Sequence, residues 1–187
     1  MNTDNPFDAS EAAIELITRP GHDDLRLQAF LCPANKVTIG YGHVLLPKFD
    51  WHLFPNCDAS RLNRLIRECQ QRGKMVEEAR VVLHINPDQA RDLLHKDVGQ
   101  VARFLRSVTP VLINQNQFDA LVSLIFNIGQ GNYATSHLRH YLHAREFDKA
   151  AAEFDRWVKG TVNGVKTSLP GLITRRAAER ELFERPS

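Results

Sequence analysis

The run from Asp23 to His43, DDLRLQAFLCPANKVTIGYGH, decides how the chain is read. Leu27, Ala29 and Leu31 alternate with more polar neighbours, and Val37, Ile39 and Tyr41 repeat the pattern beyond a Pro33-Ala-Asn-Lys turn. Period-two alternation on either side of a turn cluster predicts a small antiparallel hairpin over residues 27–41. Gly40 and Gly42 permit backbone turns that a side chain would block. In or beside this hairpin lie the carboxylates of Asp23 and Asp24, the thiol of Cys32 and the hydroxyl of Thr38, with His43 at its exit. Taken singly, their ordinary roles are a solvated turn pair, a small buried apolar group and a β-branched packing residue.

Working outward, Asp8 stands three residues before Glu11, which reads as a capping box for a helix carrying Ile14, Leu16 and Ile17 and stopped by Pro20-Gly21. Pro47, Pro55 and Gly73 break residues 45–83 around an amphipathic helix at 59–72 bearing Leu62, Leu65, Ile66 and Cys69, an elaboration of the domain rather than a second one. Asn86, Pro87 and Gln89 form a helix start, and the helix runs to about Arg106 with Ala90, Leu93, Leu94, Val101, Phe104 and Leu105 as its stripe. Asp97 interrupts that stripe, and a carboxylate on a buried face needs a partner. Helices are expected at 117–128, 136–144, 147–158 and 171–183, and Asn127 with Gly129 begins a tight turn after the first of these. Tyr41 and Phe126 read as wall or core residues.

Length and composition bound the rest. With 187 residues, 43% hydrophobic and 25% charged, the chain suits one globular domain with a real core. A net charge of +2 without a dense basic block argues against a nucleic-acid module. The polar start, Met1 to Ser10, lacks the pattern of a secretory leader, and no apolar run reaches membrane-spanning length. Three cysteines are too few for a disulfide framework; Cys57 and Cys69 are either bridged after export or two free thiols. No paired Cys/His spacing suggests a metal, and no organic cofactor is implied.

The run LRLQAFLCPANKVTIGYGH resembles the signature of phage-type lysozymes, the endolysin muramidases of glycoside hydrolase family 24. NPDQARDLLHKDV resembles their long inter-lobe helix, QFDALVSLIFNIGQG their central helix and turn, and FDRWVKG with LPGLITRRAAERELF their closing helices. The likeness covers residues 11–45 and 84–184. It implies an α+β, predominantly α, two-lobed lysozyme-like fold in a single domain. Residues 11–85 would form a β-hairpin lobe containing an inserted segment 46–83, and residues 86–187 a larger helical lobe, with the cleft between them.

The resemblance also implies a catalytic set: an acid, then an Asp or Cys nine residues on, then a Thr fifteen residues on. Those positions are Asp23, Cys32 and Thr38. The family acid is a glutamate, whereas here Asp23-Asp24 precedes Leu-Arg-Leu and the segment 18–22 is about two residues longer than usual. Aspartate reaches one C–C bond less than glutamate and is intrinsically the stronger acid by about 0.4 units, so its placement matters more. The expected roles are Asp23 as general acid, with Cys32 and Thr38 holding the water, in the inverting mode. Resemblance further implies a structural His43–Asp97 ion pair and an inward turn of Arg175 or Arg176 toward the acid. Substrate-binding residues are not assigned. The implied activity is hydrolysis of the β-1,4 bond between N-acetylmuramic acid and N-acetylglucosamine in bacterial peptidoglycan, by a monomer. The protein would be made in the host cytoplasm and reach the wall after holin-dependent release, or within a tail or secretion apparatus. The alternatives are a degenerate peptidoglycan-binding protein without hydrolase activity and a lytic transglycosylase.

Overall fold

The computed structural model describes residues 6–162 and 164–186. In chain order these form α1 (Glu11–Thr18), β1 (Arg26–Leu31), β2 (Val37–Gly40), β3 (His43–Val44), α2 (Pro47–Asp50), α3 (Ala59–Arg72), α4 (Glu77–Val82) and α5 (Pro87–Val108). Then follow α6 (Gln115–Ile128), α7 (Gln130–Ala134), α8 (His137–His143), α9 (Phe147–Ala152), β4 (Lys159–Val162), β5 (Val165–Ser168) and α10 (Pro170–Glu184). The fold is α+β and predominantly helical, as expected. Two compact units divide the chain, one comprising residues up to His22 and from Asp97 onward, the other Asp23–Lys96. The second division falls inside α5, after Lys96.

In the unit Asp23–Lys96 the expected hairpin is present and gains a third strand, in the order β1-β2-β3. Phe30 stands opposite Thr38, Leu31 opposite Val37, and Ile39 opposite His43. The turn closes through Cys32 N–H to Lys36 O (2.9 Å) and Asn35 N–H to Cys32 O (2.8 Å). Asn35 takes φ of 57°, a left-handed conformation that asparagine tolerates better than most residues. Gly40 and Gly42, at φ of 65° and 94°, make the turn into β3 that the sequence predicts.

Val37 and Ile39 sit in a core that the inserted segment largely supplies, through Phe54, Leu62, Leu65, Ile66, Cys69, Ala79 and Leu83. An amphipathic α3 presents the expected apolar face, with Asp58 as its N-cap and Gly73, at φ of 62°, ending it in the left-handed region. Residues 83–85 then return along the free edge of β1, where Leu83 O accepts from Ala29 N–H and Leu27 O from Ile85 N–H, both at 2.9 Å. Covering that edge removes unpaired backbone groups from it. The inserted segment is therefore structural to its own unit. Cys57 and Cys69 are both free and buried within it, and burial pushes the Cys57 thiol up from its ordinary value.

The other unit is built on α6, in which every residue from Phe118 to Ile125 is buried. A helix buried all round must satisfy its own polar side chains inside the protein. Asp119 does so by accepting from Ser10 N–H (2.9 Å) and Ser10 Oγ. Ser10, not Asp8, caps α1, its Oγ accepting from Ala12 N–H. α6 also begins earlier than expected, at Gln115, because Asn114 and Gln117 cap each other reciprocally. The expected helix 147–158 ends at Ala152, followed by a 3₁₀ turn, Glu153–Arg156, and the unexpected β4–β5 ribbon. Along β5 every side chain is exposed, so no hydrophobic alternation marked the ribbon in the sequence; backbone pairing from Lys159–Ser168 to Val162–Val165 defines it.

If the inserted segment is core, Leu65→Ala removes a fully buried side chain and costs about 2–5 kcal/mol in urea unfolding. A loss under about 1 kcal/mol would show that the segment is only peripheral.

Candidate active site

The hairpin register brings two of the three expected catalytic residues together. Phe30 pairs with Thr38 and Leu31 with Val37, so Cys32, the first residue beyond β1, stands diagonally across from Thr38, a relation that in a regular ladder corresponds to ~7–8 Å. Thr38 is 3% exposed although it lies on the face opposite Val37 and Ile39, and its Oγ1 donates to Lys36 O at 3.1 Å. Cys32 is half-buried and free. Asp23 lies in the bend leading to β1 and is half-buried, while Asp24 beside it is exposed. Burial thus distinguishes the two carboxylates. Arg26, at the start of β1, stacks its guanidinium 4.3 Å over the Phe30 ring on the hairpin.

His43 is buried, which suits the structural role expected of it, and Asp50 of α2 holds it in place. Asp50 Oδ2 accepts from His43 Nε2 at 3.1 Å and from Leu46 N–H at 2.7 Å, and Lys96 Nζ lies 3.8 Å from Oδ1. At 1% exposure, burial alone would raise the Asp50 pKa; the hydrogen bonds from His43 and Leu46, with the charges of His43 and Lys96, outweigh it and hold the carboxyl below 3.8. Sequence reading missed Asp50. The available signal was a carboxylate in the first turn after Pro47, seven residues past His43. Asp97, the partner expected from resemblance, belongs to the other unit.

Arg175 and Arg176, at 1% and 0% exposure, are buried in α10 rather than forming the solvated face usual for adjacent arginines. Glu179, also 0% exposed, sits between them: its Oε1 accepts from Arg175 Nε (3.0 Å) and Ser123 Oγ (2.7 Å), and its Oε2 lies 3.0 Å from Arg176 Nε. Arg175 Nη2 donates to Ser123 O, and Arg176 Nη2 to Asn127 Oδ1. Ser123 follows Asp119 by one turn of α6, so that helix binds α1 and α10 through polar side chains as well as apolar packing. Glu179 was not singled out from the sequence, although its spacing of four and three from the arginines places all three on one helical face.

Among the described residues no group of three His, Cys, Asp or Glu side chains is arranged for a metal ion, and no helix is long and apolar enough to cross a membrane. One unit holds a three-stranded sheet with the catalytic candidates and the other a set of helices around one buried helix, and the relatives of the chain make it a lysozyme-type glycoside hydrolase. The chain matches, at 37% identity over 175 residues, an endolysin of Acyrthosiphon pisum secondary endosymbiont phage 1, covering 94% of this chain and 97% of that protein. An endolysin of Bacillus phage PZA is 35% identical over 93% of this chain, which spans only 54% of that longer relative. The solved muramidase domain of SpmX from Asticaccaulis excentricus superposes with a TM-score of 0.70 at 28% identity, covering 96% of this chain and 99% of that one. The chain belongs to the phage lysozyme family, whose model matches residues 21–179.

Two measurements check these buried clusters. Glu179→Gln removes a buried carboxylate charge from beside two buried guanidinium groups and lowers unfolding free energy by about 3–5 kcal/mol; a change under about 1 kcal/mol would refute the cluster's role. Asp50 has a folded pKa below its unfolded one, so its stabilisation is present above the ordinary carboxylate value and is lost as pH falls through the depressed value. Asp50→Asn therefore costs about 1–3 kcal/mol at pH 7, and the gap to the unsubstituted protein narrows on acidification below pH 3.8. A pH-independent gap would contradict the His43–Asp50 account.

Proposed function

We propose that the chain hydrolyses the β-1,4 bond between N-acetylmuramic acid and N-acetylglucosamine of bacterial peptidoglycan with inversion at the anomeric carbon. Asp23 is the general acid that protonates the leaving oxygen. Cys32 and Thr38 hold the attacking water, which approaches the sugar from the side opposite the acid. The observation that supports this assignment is the hairpin register, in which Phe30 pairs with Thr38 and Leu31 with Val37, leaving Cys32 diagonally across the ladder from Thr38. The half-buried state of Asp23, against the exposure of Asp24, supports it as the acid of the pair.

His43 and the two arginines complete the proposal as supports. His43 is a structural residue, held by Asp50 through Nε2. Arg175 and Arg176 take their positions from Glu179, which lies within ion-pair distance of both. The same reading makes the protein a monomer that reaches the wall through a holin, or as part of a tail or secretion apparatus.

Purified protein incubated with peptidoglycan should release reducing ends, with the α anomer as first product. Asp23→Asn should lower that rate about 100-fold or more, the usual contribution of a general acid. Undiminished activity would remove Asp23 from the mechanism. A β-anomeric product would overturn inversion, and anhydro-muramyl ends would show a transglycosylase.

A further inference from the structure

A carboxylate shorter than the usual glutamate demands a backbone held closely in place, because a misplacement of about 1 Å costs about a hundredfold in rate. The residues just before Asp23 show such a hold. α1 ends at Thr18, and the last carbonyls of a helix lack partners within it. One of them, Leu16 O, lies 2.6 Å from His22 Nδ1. A carbonyl only accepts, so the proton is on Nδ1. His22 N–H also donates to Arg19 O at 2.9 Å, closing a turn in which Gly21 takes φ of 84°, readily adopted only without a side chain. Side chain and backbone of His22 therefore both fold back onto the end of α1.

The same loop is held from a second side. The Gly21 carbonyl packs on the start of α10, where a Cβ placed on Gly171 would lie 3.3 Å from it. α10 also carries Arg175 and Glu179, whose charges both act on the His22 ring. Burial, ahead of the Arg175 charge, pushes the ring's pKa below its ordinary value, so the imidazole is neutral at pH 7 and its tautomer is the one Leu16 O selects.

We infer that His22 is a positioning residue for the reaction. Through its Nδ1–H bond to Leu16 O it fastens the extended loop 19–22 to α1, and so sets the backbone from which Asp23 projects. The tether ends one peptide unit from Asp23, and only two soft dihedrals per residue intervene. The inference rests on Asp23 being the acid of the proposed hydrolysis.

The test compares His22→Ala and His22→Asn with the unsubstituted protein on soluble peptidoglycan glycan strands, with Asp23→Asn alongside. The asparagine amide offers an N–H near the place of Nδ1–H and is the conservative rescue. In folded His22→Ala, kcat should fall about 100-fold with KM within about twofold, and His22→Asn should recover most of the loss. Normal kcat in His22→Ala, a loss carried by KM, or no recovery in His22→Asn overturns the inference. Nitrogen chemical shifts of the His22 ring in the unsubstituted protein give a readout that needs no variant: the Nδ1–H tautomer is expected, and the Nε2–H tautomer overturns the tether. If Asp23→Asn keeps full activity, the acid assignment fails and the inference with it. If Asp23→Asn is inactive while His22→Ala is normal, only the tether fails.

Discussion

Two guanidinium groups lie out of water in α10 with Glu179 between them, and α6 and α10 meet around that charge cluster. Uncompensated, either arginine would carry a desolvation cost of several kcal/mol, so the cluster constrains α10 to a narrow range of positions against α6. Ser123 and Asn127 on α6 supply the remaining hydrogen bonds. One turn earlier on the same helix, Asp119 captures Ser10 at the start of α1. A central helix buried from Phe118 to Ile125 supplies apolar contact in every direction, which is strong but not directional. The polar side chains at 119, 123 and 127 add the direction, specifying which neighbour lies where.

The unit Asp23–Lys96 uses the same division of labour at smaller scale. Val37 and Ile39 bind the sheet to α3 and α4 by apolar contact, while the His43–Asp50 pair, buried and hydrogen-bonded to Leu46, fixes the exit of β3. That exit lies one residue pair from Thr38, since Thr38 pairs with Val44 and Ile39 with His43. The hydroxyl proposed to hold water is thus carried on a strand braced on its edge partner, on its apolar face and at its turn. In the proposed mechanism, preorganisation of this kind would let the thiol and the hydroxyl orient a water molecule without reorganisation at each turnover.

Several features were legible in residue order. The hairpin followed from alternation around Pro33-Ala-Asn-Lys36, the start of α5 from Asn86, Pro87 and Gln89, and the amphipathic α3 from its apolar spacing, because each depends on residues within a few positions of one another. The capping of α6 by Asn114 and Gln117 was equally local and was overlooked, as was the Arg175, Arg176 and Glu179 face. The β4–β5 ribbon was illegible for a physical reason: with all of β5 exposed, no burial shaped its side-chain pattern.

What the sequence determined by itself was the hairpin, the amphipathic α3, the start of α5 and the family to which the chain belongs, since local propensity and spacing are properties of the chain. Only the tertiary structure decided which of two adjacent aspartates is half-buried, that Asp50 meets His43, that adjacent arginines are buried about Glu179, and that the loop before Asp23 is tied back to Leu16. Those outcomes turn on desolvation and on hydrogen bonds between residues brought together by folding, and the worth of a polar contact depends on how far water has been excluded from it.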